Sequence, residues 1–382
     1  MRVLILTQYY LPGVKGGGPI QSINNLIDNL SDKLDFRVIT SDRDFGDVSS
    51  YPDIEPGVWV RHNNAQIFYV NREINIYRQI RKLLQSNDYD VIYLNSLFSF
   101  KYSIYPLLLS YLKLTQKKSI ILAPRGELSH GAMKFKYQKK RTFLFISKLL
   151  GLYKNIFWHA TSESEKKNIE DLFKKTHEIS IIGNMVKNNV PKLKESVKKE
   201  KDKLKVVFIS RIHPKKNLLF ALRIFNNITG EIQFDIYGPI EDSAYWNECK
   251  RVINELPQNI TVEYKGIIKH DNVIKIFSLY HIFLFPTLGE NFGHVIIEAL
   301  LGGCPVIISE KTPWRDIPLN NAGKIIALND EKGFIKAIHY YLSLDNNEYI
   351  ECSNDAHKFG VMQSENKQDI KKYFNLFTSK IT

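Results

Sequence analysis

The chain is predicted to be an α/β protein built of two doubly wound domains. Short apolar runs of strand length alternate with stretches of helical spacing, the pattern of a mostly parallel sheet with helices on both faces. That pattern runs once, is interrupted by the charged stretch KNNVPKLKESVKKEKDK at 187–203, and then starts again. The length, 382 residues, suits two such domains and exceeds one ordinary core. The expected organisation is a first domain at 1–186, an exposed linker at 187–203 and a second domain at 204–365. A helix with an aromatic stripe at 366–382 is expected to pack back toward the first domain.

In the first domain, Arg2 to Thr7 is a buried strand by its apolar run. A loop from Gln8 to Gly18 follows. Pro19 then sits in the first turn of a helix whose Ile20, Ile23, Leu26, Ile27 and Leu30 share one face. Strands are expected at 36–40, 58–60, 65–70, 91–94, 119–123 and 158–161, and a helix at 74–84. Ser162 and Glu165 have the spacing of a capping box that opens a helix to about Phe173. In the second domain, strands at 205–210, 232–237, 260–264, 281–285, 306–309 and 323–326 alternate with helices at 217–226, 246–255, 273–280, 294–301 and 333–344.

The composition, 44% hydrophobic and 24% charged, is ordinary for a globular protein, but the net charge of +13 is not. Such a field favours anionic partners: nucleic acid, acidic lipid or phosphorylated substrates. No DNA- or RNA-binding motif is present, so nucleic acid is not an expected partner. Cys249, Cys304 and Cys352 form neither a metal spacing nor a disulfide framework, which suits a reducing cytoplasm. The opening MRVLILTQYYLPG lacks the features of a signal peptide, and no window approaches the roughly 18 apolar residues of a membrane span. The expected location is cytoplasmic, with room for attachment to a membrane surface.

Three constellations carry chemistry. Gly16, Gly17, Gly18 and Pro19 follow the first strand and open a helix, where bare backbone N–H groups can face a phosphate; the same glycines also serve a plain turn. Arg211 and Lys216 stand five apart in the strand-to-helix loop SRIHPKKN. There they can clamp a diphosphate, the first bidentately and the second as a point charge, or form an exposed basic loop. Glu290 lies in a polar loop after the strand at 281–285, and Glu298 lies on the helix that follows. A loop acid and a helix acid at the carboxyl end of a strand are how an open α/β sheet grips a ligand with several hydroxyls.

These residues carry a resemblance. Glu290-x7-Glu298 within GENFGHVIIEALLGGCPVIIS resembles the E-x7-E signature of the retaining glycosyltransferases of family 4, the group 1 glycosyltransferases. GGGPIQSINNL is similar to the family's glycine-rich loop, SRIHPKKNL to its phosphate-binding segment, and APRGELSHGAMK to a loop of members that build bacterial surface polysaccharides. TSESE and the IIGN at Asn184 also fit, so the resemblance runs from residue 2 to about 340.

The resemblance implies the GT-B fold, two Rossmann-like domains facing across a cleft, with the acceptor on the first and the nucleotide-sugar on the second. It implies that Arg211 and Lys216 neutralise the leaving diphosphate, that Glu290 contacts the donor sugar, and that Glu298 binds the ribose. Asn291, Phe292, Gly293, His294 and Val295 would border the donor, the loop Gly16–Gly18 would close over its phosphates, and Arg125 would contact it. His130 is a candidate for contacting donor sugar or acceptor, an ordinary loop histidine being the other reading. No protein nucleophile is implied: the donor phosphate takes the acceptor's proton in a front-face reaction that retains configuration. One departure is Lys216-Asn217 where the family often has Lys-Gly, which implies a less flexible helix start.

No cofactor or metal is expected. Asp42-Arg43-Asp44 and Asp88-Tyr89-Asp90 match the weak DxD pattern of metal-dependent glycosyltransferases, but the basic clamp makes a metal unnecessary. The segment KFKYQKKRTFLFISKLLGLYK at 134–154 sets Lys134, Lys136, Lys139, Lys140 and Arg141 before Phe143, Leu144, Phe145, Ile146, Leu149 and Leu150. Such a helix suits an anionic membrane surface, each basic residue there contributing about 1 kcal/mol, or it packs on the core with a solvated basic start. The expected protein is therefore a glycosyltransferase at the inner face of the plasma membrane, using a UDP-sugar donor and a lipid-linked glycan acceptor. The alternatives are a nucleotide-sugar epimerase on the same scaffold and a non-catalytic sugar-nucleotide or polyanion-binding protein.

Overall fold

The computed structural model describes residues 1–86, 88–134, 137–173, 178–187, 197–365 and 367–379, without the side chains of His130 and Lys134. The chain divides into two compact units, Met1–Asn188 with Asn366–Thr382, and Asn189–Glu365. The first runs β1 (Arg2–Leu6), α1 (Gly18–Leu30), β2 (Asp35–Ser41), β3 (Trp59–His62), β4 (Ala65–Val70), α2 (Ile76–Gln85), β5 (Val91–Leu94), a π-helical turn at Phe100–Ile104, α3 (Tyr105–Tyr111), β6 (Ser119–Leu122), α4 (His130–Lys134), α5 (Tyr137–Leu149), β7 (Ile156–Ala160), α6 (Glu163–Phe173) and β8 (Ile179–Ile181). The second runs β9 (Lys203–Ile209), α7 (Leu218–Ile224), β10 (Glu231–Tyr237), α8 (Ser243–Asn254), β11 (Ile260–Gly266), α9 (Val273–Phe277), β12 (Ile282–Phe285), α10 (His294–Leu301), β13 (Val306–Ser309), β14 (Gly323–Ile326), α11 (Glu331–Ser343) and α12 (Asn346–Ser364). Helix α13 (Lys367–Thr378) belongs to the first unit again.

Among the described residues, the first sheet has the order β3-β4-β2-β1-β5-β6-β7-β8 and is parallel apart from the β3–β4 edge pair. The second has the order β11-β10-β9-β12-β13-β14 and is parallel throughout. Every residue of β5, β12 and β13 is buried, as strands covered on both faces by helices must be. In each sheet the strand order reverses beside the first strand, between β1 and β5 and between β9 and β12. The loops leaving such neighbours diverge to opposite faces and open a crevice at the strands' carboxyl ends.

Helix α13 docks through its aromatic stripe. Phe377 meets Phe36 and Tyr93 edge-on at 6.3 and 5.4 Å, and Tyr373 and Leu376 are buried beside it. Helix α12 has no apolar stripe to announce it. It packs against α10 through small residues, Ser353, Ala356 and Gly360, and a Cβ on Gly360 would lie 2.9 Å from the backbone of Leu300. Close backbone approach forms this seam, and Tyr349 and Phe359 of the same helix are buried, Tyr349 packing edge-on against His281 at 4.9 Å. Its start carries a full capping box between Asp345 and Glu348.

The box expected at Ser162 forms only by half. Ser162 Oγ accepts from Glu165 N at 3.2 Å, but the Glu165 carboxylate turns inward, accepting from the backbone N–H of Thr161 at 2.7 Å and of Gly126 at 2.5 Å. The expected exposed linker also differs at its end. Lys199 is 2% exposed, and its Nζ donates to the carbonyls of Leu342 and Leu344 at 3.1 Å each, so this cation closes the last turn of α11 instead of meeting solvent. Residues 188–196 of the expected linker lie outside the described ones.

Candidate functional site

The crevice of the second sheet is formed by the loops after β9 and β12. The two are laced together: Leu288 N donates to Lys215 O at 2.9 Å, and Asn217 Nδ2 donates to Pro286 O at 2.9 Å. Asn217 adopts the left-handed conformation, φ +62°. Asparagine is the side chain that tolerates this region best after glycine, so the position keeps the bend and gains a side-chain tie to the opposite loop.

Lacing brings Lys216 and Glu290 into contact. Lys216 Nζ pairs with Glu290 Oε1, Thr287 Oγ1 donates to the same oxygen at 3.2 Å, and the two charged side chains are only 12% and 13% exposed. The Lys216 ammonium also lies 5.5 Å from the centre of the Phe285 ring, a cation–π contact. Backbone Glu290 N donates to Lys311 O at 3.0 Å, so the loop after β13 fixes the acid from the other side. Arg211, on the same loop as Lys216, pairs instead with Glu241 at 2.7 Å.

Helix α10 begins at Gly293, φ +81°, where a Cβ would come 2.9 Å from Ile296 Cδ1. His294, Ile296, Ile297, Ala299 and Leu300 are buried, while Glu298 lies on the less covered side. Burial raises the Glu298 carboxyl to about 7, and His270 Nδ1 stands 3.5 Å from it. His270 had no motif to mark it; its place is decided by the loop after β11. The residues between the two acids are braced by Trp314, whose ring tilts against Phe292 at 5.4 Å and whose Nε1 donates to Phe292 O. Trp314 too carried no sequence signal.

The first unit places its expected residues differently. Gly17 caps α1 with φ +68°, and a Cβ on Gly16 would stand 2.9 Å from Ile20 Cδ1, so both glycines answer local demands of the turn. The loop is held by Asp44, which accepts from the backbone N–H of Val14 at 2.7 Å and Lys15 at 3.0 Å. Asp42 pairs with Arg43 at 2.8 Å. The better of the two DxD matches is thus a set of structural carboxylates. In the other, Asp88 pairs with Arg2 and Arg37.

Arg125, expected at the donor, has its guanidinium engaged inside the first unit. It donates to Asn95 Oδ1 at 3.0 Å, to Tyr93 O–H at 2.8 Å and to Asn184 Oδ1. The cause is the loop itself: Arg125 and Gly126 both have positive φ, +55° and +79°, which turns the side chain back over the sheet. The Tyr93 hydroxyl also meets His159 Nδ1 at 2.6 Å; burial first, and Arg125 second, push that imidazole down to about 3. His130 opens α4, and its side chain lies outside the described ones.

Helix α5 is built on Leu144 and Ser147, which are buried. Phe143 packs on Phe98 at 6.0 Å, and Lys140 Nζ lies 4.8 Å from the same ring and donates to Ala132 O at 2.8 Å. Phe143 thus follows the core-packing reading of this helix, whereas Lys140, expected in a solvated basic start, is engaged in the fold. Phe145 and Leu149 are 69% and 78% exposed, with Ile146 and Leu150 also exposed, and Lys139, Arg141, Lys148 and Lys154 exposed about them. Lys136 lies outside the described residues. Among the described residues no helix is long and apolar enough to cross a membrane.

Comparison with known proteins matches residues 189–359 to the family model described as Glycosyl transferases group 1. The second unit therefore carries the group 1 glycosyltransferase pattern. A Klebsiella pneumoniae relative, "Uncharacterized 41.2 kDa protein in cps region", is 24% identical over 292 residues, covering 70% of this chain and 75% of its own. The O-antigen chain mannosyltransferase B of Escherichia coli is 23% identical over 153 residues, 38% of each chain. Among solved structures, sucrose-phosphate synthase of Thermosynechococcus elongatus superposes with a TM-score of 0.73 at 15% identity, covering 99% of this chain and 98% of the other. Anabaena HepE, in complex with UDP and glucose, gives 0.71 at 14% identity over 99% and 100%. The fold is GT-B, and the match to group 1 glycosyltransferases lies in residues 189–359.

Proposed function

We propose that this protein is a retaining, metal-independent glycosyltransferase that moves a sugar from a UDP-sugar to a lipid-linked glycan during surface-polysaccharide synthesis. The observation that carries the reading is the Lys216–Glu290 pair, held at the switch point of the second sheet by two laced loops. Breaking the anomeric C–O bond puts negative charge on the departing diphosphate and positive charge on the sugar. Arg211 and Lys216 answer the first. Each cation is paired with a carboxylate, Glu241 or Glu290, which the diphosphate replaces; Glu290 is then available to the hydroxyls of the sugar. Glu298, half protonated near neutrality, both donates to and accepts from the ribose hydroxyls. Oxygen of the donor phosphate takes the acceptor's proton, which keeps the configuration and needs no protein nucleophile. The UDP and glucose of the HepE complex, and the O-antigen enzyme among the relatives, support the donor and the product class.

A panel of UDP-sugars tests this. The expected outcome is a donor that raises the melting temperature, turns over with excess EDTA present, and gives a product whose anomeric proton coupling matches the donor's. An inverted product, a metal-reversible loss of rate, or epimerised donor without transfer sinks the corresponding part. Membrane attachment rests on the exposed apolar and basic face of α5. Phe145→Ser with Leu149→Ser is expected to abolish co-sedimentation with phosphatidylserine vesicles; unchanged sedimentation removes this part of the reading.

A further inference from the structure

The first unit holds a cavity of about 290 Å³, lined by ends of β2 and β4, the loop after β1 and the π-helical turn. Two tyrosines, Tyr9 and Tyr102, line it together with Ser41. Its volume sits at the low end of the roughly 300–1,000 Å³ of small-molecule sites, enough for one sugar ring.

The charges that line the cavity leave a small positive balance, Arg43, Arg72 and Lys101 against Asp44 and Asp47. Arg43 is paired with Asp42, and Asp47 with Lys15. Asp44 is engaged by three backbone N–H groups, those of Val14, Lys15 and Phe45. Arg72 and Lys101 remain, and among the described residues neither side chain has a carboxylate within ion-pair distance. Lys101 is partly buried there, where an uncompensated ammonium is costly. It is held there by the π-helical turn, closed by Ile104 N donating to Ser99 O at 3.0 Å. Such turns are poorer in geometry than the α-helix and recur at functional sites.

We infer that this cavity is an acceptor subsite for a sugar bearing an oxyanion, a carboxylate or a phosphate, with the ring on the tyrosines and the anion between Arg72 and Lys101. The assignment to the acceptor rests on the transferase reading above; the anion preference rests on the cavity itself. Saturation-transfer and titration NMR on the whole protein at low salt tests it with methyl β-glucuronide, glucose 6-phosphate and neutral methyl β-glucoside, alongside UDP. The expected result is that one or both acidic sugars bind at least about tenfold more tightly than the neutral one, the better of the two naming the anion. Lys101→Gln and Arg72→Gln, singly and together, are expected to erase that preference while the UDP melting shift persists. Equal binding of acidic and neutral sugars, no binding of any of them, or a preference that survives both substitutions overturns the inference. A preserved anion preference in a protein that shows no UDP shift leaves the cavity standing and removes the transferase reading.

Discussion

Both units place a cluster of polar side chains at the carboxyl end of a doubly wound parallel sheet, and the two clusters are built on opposite terms. In the second unit, Lys216 and Glu290 form a charged pair on loops, reachable by solvent and held mainly by backbone and hydroxyl contacts. In the first, Arg125, Tyr93, His159, Asn95 and Asn184 are tied together by buried hydrogen bonds, with His159 Nε2 on the Ile182 carbonyl, Asn95 Nδ2 left without a partner among the described residues, and the imidazole kept neutral. The first arrangement can exchange partners with a ligand. The second cannot do so without leaving buried polar groups unmatched, which costs stability. On the proposed reading, two similar folds separate binding from bracing, and position at a strand end does not by itself say which is which.

The sharpest way to break this comparison is to exchange the outcomes. Lys216→Ala and Glu290→Gln are expected to lower turnover about 10²- to 10³-fold while leaving the melting temperature within a few degrees, measured by steady-state assay and thermal denaturation. A large loss of stability with little loss of rate would move the pair into the bracing class. Arg125→Met should do the reverse, destabilising by roughly 3 kcal/mol because Asn95, Asn184 and Tyr93 lose their partner. Urea denaturation checks it, and an unchanged midpoint with lost donor binding would restore Arg125 to the donor.

A smaller effect sharpens the comparison within the second unit. The Glu298 carboxyl titrates near 7 in the fold against 4.5 ordinarily, because burial disfavours its charge. A raised acid stabilises the fold fully below its ordinary range, and that contribution is lost as pH climbs through 7. Glu298→Gln should therefore flatten the decline in stability between about pH 4.5 and 7, read as urea midpoints across that window. A slope equal in both proteins would mean that the group is charged throughout.

Much of the second unit was legible because its cues are local. Strand β12, helix α10 and the two acids lie within one run of residues, and apolar length plus a glycine stop fix them. The signals failed where an element leans on a distant one. Helix α12 buries small residues against α10, so hydrophobic spacing passes over it. Glu165 has the spacing of a capping box and is drawn instead to Gly126, 39 residues away. Lys140 counts as a surface cation in the sequence and lies over Phe98 in the fold.

By itself the sequence determined two doubly wound domains, the loop-and-helix placement of Glu290 and Glu298, and the basic loop that carries Arg211 and Lys216. These depend on period, length and turn chemistry, which are properties of neighbouring residues. Only the tertiary structure decided that Lys216 meets Glu290, that His270 stands by Glu298, that Arg125 bonds within the first unit, and that Arg72 and Lys101 flank a cavity with no carboxylate at ion-pair distance from either among the described residues. Each of these joins loops from separate strands, and no local pattern specifies which side chains a sheet's strand order will set face to face.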